Sequence, residues 1–323
     1  MENAPHVDGA RRIGMESVLT KRLKKLQRYL PLYILMVPGM LYLLINNYIP
    51  MAGLIIAFKK VNFTKGILGS DWVGFKNFEF LFQTKDAFII TRNTILYNGG
   101  FILLDTLVAV AIAILLSEIR GKLKFRFYQG TILLPNLISM VVVSYLGLAF
   151  LKMDTGMLNK TILPLFGMDE VMWYNEAKYW PLILTITHVW KSAGFYSVIF
   201  FAAVLGINPA YYEAATIDGA NKWRQVVSIT IPLIRPVIIL MTMLGIGRIF
   251  YSDFGLFYNV PLNSGLIYRT TDVIDTYVFR GLMQLGDIGM ASAAGLYQSL
   301  VGFTLVIVSN YLVRKFSRDD ALF

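Results

Sequence analysis

Three ionisable residues stand out because they lie near the middle of long apolar runs: Asp105, Lys191 and Arg248. Asp253 follows Arg248 by one to two helical turns. A charge at the centre of a membrane helix costs roughly 2.5–3.5 kcal/mol, so such a residue persists where it faces water, an opposite charge or a ligand. One interpretation is a buried ion-pair network, Asp105 with Lys191 or Arg248 with Asp253, that fixes helix register. The other is a polar cavity through which a solute passes.

The cavity interpretation includes further polar and aromatic residues from the same runs. Aromatic faces and bidentate polar groups suit sugar rings. Two cations against one anion at mid-depth favour an acidic glycan, by a margin of one charge. The candidate residues of this substrate path are Asn98, Asp105, Tyr145, Trp190, Lys191, Tyr196, Arg248, Tyr251, Asp253 and Tyr258.

Several kinds of chemistry are excluded by what the sequence lacks. It has no cysteine and only two histidines, His6 and His188, so no metal cluster can be built from those residues. His188 is expected to be packed and hydrogen-bonded. No GxxxxGK[ST] motif is present, so the chain should not bind or hydrolyse ATP. No constellation typical of an enzyme is found either. We therefore expect neither a metal nor a cofactor on this chain.

The composition identifies the environment in which those charges must be placed. The chain has 323 residues, of which 56% are hydrophobic and 15% charged, and its mean hydropathy is +0.58. A soluble domain has about 25% charged residues. Several apolar runs approach the length that spans a bilayer, which favours a polytopic helical membrane protein. The net charge of +10 comes largely from basic residues beside those runs. Positive-inside topology explains it better than nucleic-acid binding.

The hydropathy pattern predicts an all-α membrane protein with six spans and both termini cytoplasmic. The predicted domains are a cytoplasmic tail at 1–29, a transmembrane domain at 30–313 and a second tail at 314–323. A basic loop at 117–128 supports this orientation. The spans are expected at about 30–58, 94–116, 129–151, 180–205, 237–258 and 290–313.

The segment 208–236 is a structured connection between the fourth and fifth spans. Asn208 can cap a helix over 210–217, since Pro209 suits a first helical position. Asp218-Gly219 ends that helix, because glycine tolerates the left-handed conformation. A second helical piece begins at Ala220, and Pro232 and Pro236 are expected to bend or break it. A plain connection needs only a few residues, so this segment indicates a docking surface.

The spacing within this segment resembles a known motif. It reads Glu213-Ala214-Ala215, three residues, Gly219, nine residues, Ile229, one residue, Ile231-Pro232. This resembles the EAA loop of permease subunits in binding-protein-dependent ATP-binding-cassette importers. The family consensus ends in Leu-Pro, so Ile231 is a mild departure. The form Asp218-Gly219-Ala220 is typical of sugar importers.

The resemblance implies a type I importer permease whose helix at 210–217 contacts an ATPase and couples its movement to the spans. The residues it implies for this role are Tyr212, Glu213, Ala214, Ala215, Thr216, Asp218, Gly219 and Ala220. Tyr212, Ala215, Thr216 and Gly219 are predicted to share the contacting face. In such importers ATP and Mg are bound by the partner ATPase subunits.

The family also implies partners and a location. The partners are a second permease in a heterodimer, two ATPase subunits, an extracytoplasmic solute-binding protein and the lipid bilayer of a bacterial inner membrane. The segments 272–280 and 293–299 resemble those of importers of oligosaccharides from polysaccharide breakdown, including alginate importers. Another resemblance, GxxNF at Gly74–Phe78, places the segment after the first span on the extracytoplasmic face.

Two alternatives remain open at this point. One is an importer permease for a non-sugar solute, against which the form of the loop at 218–220 argues. The other, from a different class, is a stand-alone ion-coupled transporter that uses Asp105, Lys191 and His188. The second alternative leaves the structured segment 208–236 without a role.

Overall fold

The computed structural model describes residues 29–316. The two predicted tails, and His6 with them, therefore lie almost wholly outside the described residues. The chain divides into two compact units, Met1–Ile55 and Ile56–Phe323. In the first unit the described part is helical and includes a π-helical turn at Leu44–Tyr48. The second unit holds every site discussed below.

The helices that carry the argument are labelled in chain order. They are α1, Tyr29–Phe58; α2, Lys85–Ser117; α3, Lys122–Leu137; α4, Met140–Leu151; α5, Trp180–Leu205; α6, Ala210–Ile217; α7, Lys222–Ile246; α8, Phe254–Asn259; α9, Ile274–Leu285; and α10, Ile288–Phe316. Shorter helical turns occur at Gly66–Gly69, Gly74–Phe78, Phe80–Gln83, Leu158–Ile162, Leu163–Leu165, Ala177–Tyr179, Gly265–Ile267 and Tyr268–Thr271. Two short antiparallel strands, β1 at Lys59–Lys60 and β2 at Asp71–Trp72, form a hairpin after α1.

Five helices within residues 29–316 are long and apolar enough to cross a membrane: α1, α2, α5, α7 and α10. The pair α3 and α4 adds a sixth span if the two are counted together. The predicted number of spans therefore depends on this pair. The prediction of 180–205 for the fourth span matches the observed bounds of α5, whereas α2 begins earlier than predicted, at Lys85.

The third span, predicted at about 129–151, is divided between two helices, and the first of them begins earlier than predicted, at Lys122. The chain bends by 95° between α3 and α4. Pro135 lies in the last turn of α3, and Ser139 accepts a hydrogen bond from the Val142 amide at 3.4 Å to cap α4. A proline removes one backbone donor, and a new cap allows a helix to restart in a new direction.

The prediction for the fifth span, 237–258, is also wrong in its bounds. The long apolar helix is α7, which begins at Lys222 and ends at Ile246. Pro232 and Pro236 do not break it, because a π-helical turn at Val226–Thr230 precedes them and the helix continues through both. Such local adjustments accommodate prolines in membrane helices. The break comes later, between α7 and α8.

Helices α2 and α5 form the most extensive pairing in the second unit, and α3 packs across α5. Gly194 permits the α3 contact: a Cβ atom there would lie 2.0 Å from the Ile132 carbonyl oxygen. One cluster of the core contains Tyr97, Trp180 and Leu256, all buried. Close backbone approach at small residues is a general device of membrane helix packing.

Replacing Gly194 with alanine should therefore lower the stability of the protein. The new methyl group would overlap the backbone of Ile132 in α3, and overpacking of this kind costs about 1–3 kcal/mol. Thermal unfolding of the purified protein measures the effect. Gly295→Ala is the matched control, because a Cβ at Gly295 meets nothing within 4 Å. Equal melting temperatures for the two variants would contradict the packing argument.

The GxxNF segment has a structural role at the end of α1. Asn77 donates hydrogen bonds to the carbonyl oxygens of Ala57 at 2.9 Å and Lys59 at 3.0 Å. Gly74 adopts φ +60°, a conformation that favours glycine. These contacts tie the hairpin to the helix that precedes it.

Helix α9 is held at its start by a buried ion pair. Arg280 donates to the Asp272 carboxylate, and its guanidinium lies 4.1 Å from the centre of the Tyr268 ring. Burial raises the pKa of Asp272, while the Thr276 hydroxyl and the Arg280 guanidinium oppose that shift. The segment 272–280 thus forms a rigid element beside the broken fifth span.

Candidate functional site

A polar cavity of about 640 Å³ lies among α2, α3, α5 and the break after α7. Two interruptions of membrane helices border it: Asn136 at the end of α3, and the segment 247–253. Irregular backbone at membrane depth is tolerated where it lines a cavity or is buried in protein. The position of both breaks therefore favours a solute path over a solid core.

Asp105 is the central acidic group of this cavity. Its Oδ2 lies 2.9 Å from His188 Nε2, and its Oδ1 accepts a hydrogen bond from Ser192 at 2.5 Å. The His188 ring stacks on Phe101 with centroids 3.7 Å apart. The expectation of a packed, hydrogen-bonded histidine is confirmed. Both Asp105 oxygens are thus occupied by residues of α5.

The predicted pairing of Asp105 with Lys191 is wrong. Lys191 donates instead to backbone carbonyl oxygens of Pro135 at 3.3 Å, Asn136 at 3.1 Å and Ile138. These carbonyls lie in the last turn of α3 or directly after it, where a helix leaves acceptors short of backbone partners; the Pro135 carbonyl also accepts from the Ile138 amide at 3.2 Å. A cation at a helix C-terminus also complements the helix dipole. Lys191 therefore stabilises the bend between α3 and α4.

The predicted pairing of Arg248 with Asp253 is likewise wrong. Within residues 29–316 no ion pair or side-chain hydrogen bond involves Arg248, which is exposed and lines the cavity. Asp253 caps α8 by accepting from the Leu256 amide at 3.1 Å. Arg248 also lines a smaller neighbouring cavity of about 270 Å³ with Tyr196. Among the described residues, Arg248 is the cavity's cation without a side-chain partner, whereas Asp253 has one of its two carboxylate oxygens engaged.

The predicted path residues divide into two groups. The cavity brings together Asn98, Asp105, Tyr196, Arg248, Tyr251 and Asp253. Tyr145 is 68% exposed on α4, Trp190 lines an apolar groove with Val143 and Val260, and Tyr258 stacks on Phe254. These three, together with Lys191, lie outside the cavity.

The sequence reasoning also missed residues of the cavity wall. Ser192 lies one helical turn after His188, so both share a face of α5; this spacing was the available signal. No signal of that kind marks the others, because they are apolar or lie at helix breaks. The cavity residues missing from the predicted path are Phe101, Ile102, Asn136, His188, Ser192, Phe195, Gly245 and Ser252.

The first part of the segment 208–236, residues 208–220, has the local structure that its sequence predicts. Asn208 Oδ1 accepts a hydrogen bond from the Ala210 amide at 3.0 Å, and α6 follows with the predicted bounds. Gly219 adopts φ +78°, and the Ala220 amide bonds to the Ala215 carbonyl at 2.8 Å. This is the hydrogen-bond pattern that closes a helix at a left-handed glycine.

The face of α6 that was predicted to contact an ATPase is partly covered by its own segment. Tyr212 Oη lies 2.9 Å from Thr230 Oγ1, and Gln225 donates to Thr216 Oγ1 at 3.0 Å. The opposite side is open: Glu213 is exposed and Ile217 is 87% exposed. A large apolar side chain so exposed indicates a contact surface when it lies on a structured element.

The segment 208–236 lies at the same end of the bundle as the basic loop between α2 and α3. Lys222 forms an ion pair with Glu118 at 2.9 Å, with both side chains largely exposed. The charge rule places loops of this basicity on the cytoplasmic side. Helix α6 therefore lies at the end of the molecule that carries this basic loop.

Residues 25–318 match the family described as binding-protein-dependent transport system inner membrane component. The chain belongs to this family. Such proteins are the membrane permease subunits of importers, so transport is the role of this permease and catalysis is not. The resemblance drawn from the loop at 208–236 is confirmed.

This permease is similar to a transport system permease of known assignment and to a chain of a solved ABC transporter. The polygalacturonan/rhamnogalacturonan transport system permease protein YteP of Bacillus subtilis (strain 168) is 33% identical over 317 residues, covering 98% of this chain and 97% of YteP. A crystal structure of a bacterial ABC transporter involved in the import of the acidic polysaccharide alginate contains a chain with a TM-score of 0.83 and 31% identity. That match covers 92% of this permease and 99% of the other chain.

A second crystal structure shows the bacterial alginate transporter in complex with a periplasmic protein that holds an alginate pentasaccharide. Its matching chain has a TM-score of 0.82 and 31% identity, and covers 91% of this permease and 98% of that chain. This permease therefore shares the fold of a subunit that works beside a substrate-binding protein.

Proposed function

We propose that this permease is one half of a heterodimeric, ATP-driven importer of oligosaccharides, and of acidic oligosaccharides in particular. The preference for acidic oligosaccharides is supported by which charged side chains of the cavity already have hydrogen-bond partners. Asp105 is engaged at both carboxylate oxygens and Asp253 accepts one hydrogen bond in capping α8, while the Arg248 side chain has no partner among the described residues. A guanidinium binds a carboxylate through two parallel hydrogen bonds.

Lys191 does not add to the positive charge available in the cavity, because its ammonium group is engaged by the carbonyls of α3. Arg248 is therefore the one predicted cation of the path that lines the cavity. A similar transporter of known structure imports an acidic polysaccharide, which agrees with an acidic solute. Tyr196 and Tyr251, which line the same cavity, offer aromatic faces to a sugar ring.

The proposed mechanism is alternating access driven by two partner ATPase subunits. They bind ATP and Mg, and α6 transmits their closure to the spans through the continuous helix α7. A solute-binding protein delivers the sugar from the outer side of a bacterial inner membrane. A second permease completes the path. Since α6 is joined to α7 by only a few residues, a displacement of one moves the other.

The test is reconstitution of the complete importer in proteoliposomes. Binding protein loaded with an oligouronate is expected to stimulate ATP hydrolysis and glycan uptake, whereas a neutral oligosaccharide of equal length should stimulate both far less. Equal stimulation by the two glycans would contradict the acidic specificity.

The same experiment tests the stand-alone alternative. The Asp105–His188 pair is the observation that would serve an ion-coupled transporter. Uptake by this permease alone, in vesicles that contain no ATPase, would support that alternative and overturn the proposed function.

A further inference from the structure

Two sequence segments converge on the break after α7. The segment 272–280 contributes Asp275, and the segment 293–299 contributes Gln298 and Ser299. These segments resemble those of oligosaccharide importers, but the site described above gives them no role. In the structure both contact the residues 250–252, which lie between α7 and α8.

These contacts provide hydrogen-bond partners for backbone groups of the segment between α7 and α8. Gln298 Nε2 donates to the Phe250 carbonyl at 2.7 Å and to Asp275 Oδ1 at 3.3 Å, which uses both of its hydrogens. The Ser252 amide donates to Asp275 Oδ2 at 2.8 Å. A carboxylate suits this position because both of its neighbours are donors, and an amide would present a donor to one of them.

The opposite side of the break is held from α2. Asn98 donates to the Ile249 carbonyl at 2.8 Å and to Ser252 Oγ at 3.1 Å. Asn98 and Gln298 are both buried. Buried backbone groups without partners are costly, so these side chains fix the path of the segment between α7 and α8.

The same segment forms one wall of the cavity. Arg248, Tyr251 and Asp253 face the cavity from it, and the Tyr251 hydroxyl lies 2.8 Å from Ser299 Oγ. Gln298 itself does not line the cavity, so any influence on a solute passes through the backbone that it holds. This arrangement separates the residues that contact a solute from those that place them.

We propose that Asp275 and Gln298 are positioning residues that set the solute affinity of the cavity by holding the segment 247–253, and with it Arg248, in place. The inference rests on the proposed function and deepens it, since it assigns specificity to residues outside the cavity. A positioning residue acts through another group, so its effect depends on that group being present.

The experiment measures binding of an oligouronate to the solubilised complete importer, without binding protein, by titration calorimetry. Gln298→Met keeps the side-chain volume but removes both hydrogen bonds, and should raise the dissociation constant about tenfold. Arg248→Gln should raise the dissociation constant at least as much. The double variant is expected to bind no worse than Arg248→Gln alone, because Gln298 acts through Arg248.

Two further variants provide a second test and a control. Asp275→Asn retains one acceptor and should weaken binding less than Gln298→Met, and it provides the test if Gln298→Met fails to assemble. Gln284→Met, on the exposed side of α9, is the matched control and should bind as the parent does. Additive losses in the double variant, or unchanged affinity in Gln298→Met, would overturn the inference.

Failure of the parent to bind any oligouronate would count against the proposed acidic specificity. The titration would then be repeated with a neutral oligosaccharide. In that case weaker binding by Gln298→Met, but not by Gln284→Met, supports the inference, and equal binding by both overturns it.

Discussion

Reversing the charge of Glu213 should abolish ATP-driven uptake while the permease still inserts and assembles. Glu213 is exposed on α6 and has no ion-pair or hydrogen-bond partner for its side chain in the part of the chain that the structure describes. In the proposed complex it meets a cationic group of an ATPase. A lysine there leaves two like charges facing each other, and losses of this kind cost about 2–5 kcal/mol. Uptake should fall roughly thirtyfold or more.

The measurement is glycan uptake by vesicles that contain the assembled importer, compared at equal amounts of permease in the membrane. Glu118→Lys is the matched control, because it reverses a charge at the same end of the molecule, and the ion pair that it replaces by a like-charge contact with Lys222 is largely exposed to solvent. Such pairs contribute about 0–1 kcal/mol, so near-normal uptake is expected. Normal uptake by Glu213→Lys would remove α6 from the coupling mechanism.

Gly219→Asp should act at the same place for a different reason. Gly219 has φ +78°, where a residue with a Cβ is strained, although nothing lies within 4 Å of the site. The end of α6 would shift, and the new carboxylate would alter the contact surface. The expected outcome is lost uptake with normal insertion, measured in the same vesicles.

Helices whose ends are set by neighbouring residues were predictable from the sequence. The bounds of α6 follow from Asn208 and Gly219, and its closing hydrogen bonds involve only residues of the same segment. The fourth span was likewise bounded by local signals. Since these determinants lie within a few residues of the helix ends, a pattern along the chain contains them.

The breaks in the third and fifth spans were not predictable, because their determinants lie far along the chain. The carbonyls at the end of α3 are satisfied by Lys191 of α5. Those of the break after α7 are satisfied by Asn98 and Gln298. The prolines did not mark the position of the second break. Pro232 and Pro236 lie in a continuous helix, and the break comes after α7, at residues 247–253, where no proline occurs.

The sequence indicated which charged residues line the cavity better than it indicated which residues they pair with. Charges in apolar runs need polar surroundings, which made Asp105 and Arg248 candidates for the path, and both line the cavity. Their partners depend on helix rotation, which hydropathy does not determine. Hence Asp105 pairs with His188, one turn before the expected Lys191, and Arg248 remains unpaired within the described chain.

Neutralising Arg248 should remove the preference for acidic glycans. In Arg248→Gln the cavity loses its available guanidinium, and a charge-assisted hydrogen bond contributes about 1.5–3 kcal/mol. Uptake of an oligouronate should fall at least tenfold, while a neutral oligosaccharide of equal length, where the parent carries one, should be carried unchanged. The ratio of the two uptake rates in the reconstituted importer is the measurement.

Lys191→Gln is the informative comparison, because both residues were predicted as cations of the path and the structure gives them different roles. Removing Lys191 leaves the carbonyls at the end of α3 without their cation, so the bend between α3 and α4 loses stability. The melting temperature should fall and all glycans should be affected alike. If Lys191→Gln changed the uptake ratio and Arg248→Gln did not, the roles assigned to the two residues would have to be exchanged. The acidic specificity would then rest on the bend rather than on the break after α7.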